Sequence, residues 1–293
     1  MTARIALVGV AAAFALAAAV PALAQQPAPS PFVPLEDHPS CTVAELTAAT
    51  DAYVAAQRKG DISGLAFADK AHFLQNMDTV ERDKGIWNTA LKVDRATSFH
   101  DAQRCKTFTE VIVADPVHPY VIGTRLYLHN GRILRMESLV SQKGDWLFNA
   151  NAYLKYSGAV DWGVAAPANR TSAADMIRGA NAYFDAFSDK FTDIPWGTPC
   201  ARLEGGAYTN RDNDPKASCN IGIPPGVLYI DNRDYLIDEE HGVINVWCRF
   251  GDSRTGAPDS HVFQFANGKI RQIHTISITP GPQANDNGAI VRN

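Results

Sequence analysis

Residues 120–141 read YVIGTRLYLHNGRILRMESLVS, and residues 261–276 read HVFQFANGKIRQIHTI. Each sets an Asn-Gly pair, Asn130-Gly131 or Asn267-Gly268, between two strand-like runs. Asn and Gly tolerate the left-handed backbone that both central positions of a type I′ turn require, so each stretch predicts a long β-hairpin. A helix-period segment lies upstream of each. Val43, Leu46, Tyr53 and Val54 recur at helical spacing up to about Gly60, and Thr42 with Glu45 makes a capping box at the start. After Thr171, residues Met176, Ile177, Ala180, Tyr183, Phe184 and Phe187 form a second apolar face. Ala52-Tyr53 and Ala182-Tyr183 are offset by 130 residues, and the two Asn-Gly turns by 137. Helix first and hairpin last, twice over, predicts a duplicated α+β unit. Between these landmarks, Asp61–Ala71 reads as a short helix, and Thr107–Ala114, Val227–Ile230 and Val243–Phe250 as strands. Gly158, Gly163, Pro167 and Asn169 mark a linker.

The chain has 293 residues, 46% of them hydrophobic and 20% charged, with a formal charge of −4. That composition is globular, and the absence of a Lys/Arg cluster argues against a nucleic-acid partner. The N-terminus differs from the rest. Arg4, an apolar run from Ile5 to Val20, and Ala22-Leu23-Ala24 before Gln25 read as a secretory signal peptide. The expected layout is a signal peptide over 1–24, an extended leader over 25–40, domain one over 41–157, a linker over 158–170, domain two over 171–280 and a loose tail over 281–293. The expected location is periplasmic or extracellular, with no stable membrane insertion after cleavage. An exported chain meets oxidising conditions. Of the five cysteines, Cys41 with Cys105 and Cys200 with Cys219 are read as disulfides, leaving Cys248 as a buried thiol in an apolar run.

Several segments carry a resemblance to a known family. They are His118-Pro119-Tyr120-Val121-Ile122-Gly123-Thr124, Gly144-Asp145-Trp146-Leu147-Phe148-Asn149-Ala150, Pro195-Trp196-Gly197-Thr198-Pro199-Cys200-Ala201-Arg202-Leu203-Glu204-Gly205-Gly206 and Pro258-Asp259-Ser260-His261. From about Cys41 to Ile278 the chain resembles a family of exported tandem-domain proteins of unknown function from fungi and bacteria. Each half resembles a SnoaL-like cone of the nuclear transport factor 2 superfamily. The resemblance implies a curved antiparallel sheet wrapped around an N-terminal helix and a deep pocket. In enzymes of this type, His and Asp/Glu inside the cone move protons, as in dehydratases, isomerases and epoxide hydrolases; no residue-level match to them exists here.

No nucleophile elbow, P-loop, dinucleotide-binding glycine motif or H-E-x-x-H sequence is present. The eight histidines include no i, i+2 or i, i+4 pair, so neither metal nor organic cofactor is expected. The candidates are acid–base residues. Pairing outward from Ala266 opposite Lys269 sets His261 opposite His274, so the two imidazoles share a face unless a bulge shifts the register. Asp259 could orient one ring. Arg202 and Glu204, at i, i+2 on an extended segment, would share a face as an ion pair. Trp196, Tyr208 and Gln264 are read as substrate-binding. Arg125 with Tyr127, and Arg135 with Glu137, read as surface groups. Trp146, Phe148, Tyr153 and Tyr156 read as core or domain-interface aromatics. Two functions remain: an exported enzyme (lyase, dehydratase or isomerase) acting on a small organic molecule by general acid/base chemistry, or a non-catalytic ligand-binding or assembly module, self-association included.

Overall fold

The computed structural model describes residues 41–220, 230–251 and 256–279, and the backbone of a short strand pair, Gln283–Ala284 with Ile290–Val291. The expected signal peptide and leader, residues 227–229 and most of the tail lie outside the described residues.

The first helix, α1, spans Val43–Lys59. Thr42 caps it through a full capping box with Glu45, and Gly60 ends it at φ 66°. That left-handed turn suits glycine, since a side chain there would clash with its own carbonyl. The strands β1 (Phe67–Gln75), β2 (Asp78–Thr79), β3 (Arg95–Asp101), β4 (Lys106–Val113), β5 (Tyr120–His129) and β6 (Arg132–Ser141) follow. They form one sheet in the order β2-β1-β6-β5-β4-β3. The helix α2 (Ala150–Ser157) leads to α3 (Ala173–Asp185), which Ser172 caps. Then come β7 (Trp196–Glu204), β8 (Ala207–Tyr208), β9 (Ile230–Asp238), β10 (Val243–Phe250), β11 (Ala257–Ala266) and β12 (Lys269–Ser277). Their order, β8-β7-β12-β11-β10-β9, repeats that of the first sheet. In both sheets the first long strand runs parallel to the last, and the other pairings are antiparallel. The chain is thus two tandem α+β cones of the SnoaL-like, nuclear transport factor 2-like kind, each sheet curving around its own helix.

Three cores hold this arrangement. Leu46 and Tyr53 of α1 pack with Trp87, Ile122 and Met136 inside the first cone. Met176, Tyr183 and Phe184 of α3 pack with Phe263 and Ile273 inside the second. The third lies between the sheets, where Phe108, Ile112 and Leu139 meet Leu236, Trp247, Val262 and Ile276, with Tyr153 of α2 beside them. The cones therefore stand back to back. Asp101 accepts the backbone N–H of Ile237, while Asp238 accepts that of His100. Equivalent positions contact each other reciprocally, as across a two-fold homodimer interface.

Four sequence expectations are corrected here. Asp61–Ala71 is not a helix. A turn runs into β1, because parallel pairing with β6 supplies hydrogen-bond partners that local propensity cannot foresee. Arg125 is no surface group but is fully buried between the cones. It donates to Asn245 and Asp234, and Tyr127 donates to the same Asp234 carboxylate. Trp146, read as a core or domain-interface aromatic, lies outside the cores, being 60% exposed. The fourth correction, to the last hairpin's register, decides the site.

Candidate functional site

Both hairpins turn at Asn-Gly with positive φ at both residues, as a type I′ turn requires. Both then take one extra residue in the second strand. Leu134 is the bulge between β5 and β6, and Arg271 is its counterpart between β11 and β12. The bulge shifts the register, so His274 pairs with Val262 and His261 with Thr275. Because side chains alternate, one residue of shift sends the two imidazoles to opposite faces. His261 points into the second cone. His274 points into the layer between cones, its Nδ1 3.3 Å from Glu110 and its ring edge-on to Tyr153 and Trp162. The expected histidine pair does not exist.

A cavity of about 350 Å³ opens in the second cone. Tyr183, Phe187 and Phe250 wall it with aromatic surface, and Ile278 and Trp146 also line it. Its polar part comes from β7, β11 and β12. On β11, Asp259 and His261 alternate onto one face, and Asp259 Oδ1 lies 2.6 Å from His261 Nδ1. Ser277 Oγ donates to Asp259 Oδ2 at 2.5 Å. A carboxylate can only accept, so the Nδ1 proton stays between the pair and the Nε2 lone pair is left for a ligand. No described residue hydrogen-bonds Nε2. Phe184, Phe250 and Phe263 pack around the imidazole. On β7, Arg202 holds Glu204 through both Nε and Nη2. The Cys200–Cys219 disulfide ties this strand to the loop beyond, and Cys41–Cys105 ties the start of α1 to the β3–β4 turn. Burial pushes the Tyr183 hydroxyl well above its ordinary range, so it stays protonated beside Arg202.

Of the residues expected to act, His261, Arg202 and Glu204 meet in this cavity, and His274 does not. Trp196 packs on Tyr183 and faces a separate cavity of about 210 Å³ with Lys190 and Asp193. Tyr208 stacks on Tyr156 at 4.6 Å, in the layer between cones. Gln264 donates to the Asp161 carbonyl instead of facing the cavity. Thr275, Ser277, Phe250 and Trp146 line the cavity without having been singled out for it. The i+2 rule from His261 could have found Phe263, whose ring packs on the imidazole. Nothing local marks Trp146, which arrives from the other cone.

Cys248, free and buried, has its Sγ close to this pair; donor atoms of Cys248, Asp259 and His261 all lie within 4.8 Å of one another. Three such donors could hold a transition-metal ion. Here both Asp259 oxygens already accept hydrogen bonds. Burial, reinforced by the Asp259 charge, pushes the thiol far up and keeps it neutral.

The first cone shows what the fold itself requires. At the register positions of Arg202, Glu204, Cys248, Asp259, His261, Thr275 and Ser277 it has Phe73, Gln75, Val111, Ile122, Thr124, Ser138 and Val140. None of these carries a charge. Thr124 simply bonds Tyr53 and Ser138, each at 2.7 Å, and Trp87 is buried in the same core.

The two cones define a tandem α+β protein whose second cone holds a pocket lined by ionisable groups. Residues 169–277, the second cone, match the family model of a domain of unknown function (DUF8021). No curated protein matches the chain. Among solved structures, a nuclear transport factor 2-like protein of unknown function from Burkholderia xenovorans LB400 is similar at 15% identity. It covers 40% of this chain and 94% of its own, with a TM-score of 0.27. The de novo designed fold protein NT-9 is similar at 13% identity, covering 35% and 88%, with a TM-score of 0.27. AclR from Streptomyces galilaeus, titled as a candidate hydroxylase, is similar at 13% identity, covering 41% and 89%, with a TM-score of 0.26.

Proposed function

We propose that the second cone is the active site of an exported small-molecule enzyme that works by general acid/base chemistry as an isomerase, lyase or dehydratase. The observation that carries this reading is the contrast between the cones. The same scaffold in the same chain folds with uncharged residues at every one of these positions. Buried ionisable groups cost stability even when paired, so placing an Arg–Glu ion pair and an Asp–His hydrogen-bonded couple around one cavity calls for a use other than folding.

In this reading His261 Nε2 takes a proton from a carbon next to a substrate carbonyl. The C–H electron pair moves into the carbonyl, giving an enolate. Asp259 holds the tautomer and stabilises the imidazolium that forms. The Arg202 guanidinium, its plane fixed by Glu204, stabilises the oxyanion in this reading. The imidazolium then returns its proton at a different carbon, as an isomerase does, or to a departing hydroxyl, as a dehydratase does. No step calls for an organic cofactor. The apolar walls also suit a carrier, but a carrier needs no unsatisfied imidazole nitrogen in its pocket.

Export is part of the proposal. It rests on the signal-like N-terminus and agrees with the two disulfides. So are the domain limits 41–157 and 171–280 and membership of the exported tandem family. Among the described residues, no helix is long and apolar enough to cross a membrane. The test is proton exchange: the mature protein is incubated in D₂O with a panel of small ketones, keto acids and aromatic carbonyl compounds, and followed by mass spectrometry. Protein-dependent deuterium uptake that falls about 100-fold or more in His261→Ala supports the assignment. Uptake that persists in the variant removes it.

A further inference from the structure

Trp146 belongs to the first cone's chain segment, in the loop between β6 and α2, yet it lines the second cone's cavity. Its loop is anchored tightly on the second cone. Asp145 Oδ1 accepts the backbone N–H of Thr279 at 2.7 Å, and Asp145 Oδ2 accepts that of Gln142 at 2.8 Å. The Asn149 N–H donates to the Gly205 carbonyl at 2.6 Å. Gly205 sits at φ +58°, and a Cβ on it would lie 2.3 Å from the Trp146 carbonyl oxygen. Gly206, at φ +141°, would meet the Asn149 carbonyl at 2.6 Å. Two glycines of the second cone therefore make room for this loop.

The backbone is fixed, but the indole is left 60% exposed at the cavity rim. A large apolar ring held in water by a pinned backbone is poised to cover something. Tyr183, Phe187 and Phe250 line the same cavity with aromatic surface. The ionisable groups between these walls, Arg202 with Glu204 and His261 with Asp259, sum to one negative charge when the imidazole is neutral. An anion would be repelled there, whereas an uncharged molecule would not.

We infer that Trp146 is the first cone's contribution to the second cone's site, a stacking lid selecting uncharged planar ring compounds whose polar substituent reaches His261 and Arg202. This rests on the cavity assigned above but not on its proton chemistry. It also gives the catalytically blank first cone a role, because the second cone alone lacks this wall.

The probe is 2-naphthol, an uncharged two-ring compound, titrated calorimetrically into the mature full-length protein. Trp146→Ala should weaken binding about 10-fold, while Trp146→Phe, which keeps a stacking face, should stay within about 3-fold of wild type. Phe191→Ala removes another exposed aromatic, 84% exposed and not part of the cavity lining, and should change nothing. The anionic analogue 2-naphthoate should bind more weakly than 2-naphthol. Wild-type affinity in Trp146→Ala, equal loss in Phe191→Ala, equal binding of the anion, or no binding of 2-naphthol by wild type would each overturn the inference. Proton exchange separates the two readings: ring binding that depends on Trp146 while wild type exchanges no protons with the carbonyl panel would sink the proposed chemistry and leave this inference standing.

Discussion

Asp259 is where a single atom matters most. Each of its oxygens has one donor, His261 Nδ1 or Ser277 Oγ. Asp259→Asn would present an amide N–H to one of them and release the imidazole to the wrong tautomer. We expect kcat to fall at least 100-fold with KM little changed, measured on whichever substrate the exchange panel identifies. The same pairing predicts that a chelator leaves both Tm and turnover unaltered; a Tm drop restored by zinc would instead make Cys248, Asp259 and His261 a metal site. On the pocket rim, Gly205→Ala adds a Cβ to a left-handed residue facing the Trp146 carbonyl at 2.3 Å. It should lower stability by more than the roughly 1 kcal/mol that a strained backbone alone costs, and weaken ring binding with it, by thermal melt and calorimetry.

At the scale of elements, α1 and its cap, the two Asn-Gly hairpins and the duplicated order were all legible, because caps and I′ turns are decided by neighbours in sequence. Strands supported by distant partners were less so. β3 and β9 carry charged runs, Arg95 to Asp101 and Asp231 to Asp238, and they extend their sheets only because β4 and β10 lie beside them. The i, i+2 logic placed Arg202 beside Glu204, and Asp259 reaches the His261 ring it was expected to orient. Pairing across the hairpin failed for His274, because no local signal announces the bulge at Arg271. That bulge recurs at Leu134 in the first cone, so it belongs to the scaffold. Trp196 and Tyr208 shared the β7–β8 segment with Arg202, but they left it on other faces.

As a whole molecule, the chain is a covalent pseudo-dimer whose sheets bury each other. Between them lies an ionic knot in which Arg125, Lys106 and Tyr127 converge on Asp234. Burial opposes the Asp234 charge, but Arg125 and Lys106 outweigh it and hold the carboxyl down at about 2. A depressed folded-state pKa stabilises the fold above the unfolded value of about 3.9 and loses that contribution as pH falls toward 2. The stability gap between wild type and Asp234→Asn should therefore be widest at pH 7 and shrink to about half by pH 3, by urea melts at both. Shared burial also predicts a single unfolding transition for residues 41 onward. The two disulfides span 64 and 19 residues, so the Cys41–Cys105 bridge restrains the unfolded chain more, worth about 4 against about 3 kcal/mol in the loop-entropy picture. Reducing agents should lower Tm accordingly. The central claim is that one cone is chemically equipped and its twin is not, and deuterium exchange in D₂O on paired variants tests it most directly. Placing Thr124's residue at the equivalent position, His261→Thr, should remove exchange, while His274→Ala, if it folds, should retain it. Exchange surviving in His261→Thr, or lost only in a folded His274→Ala, would contradict the account.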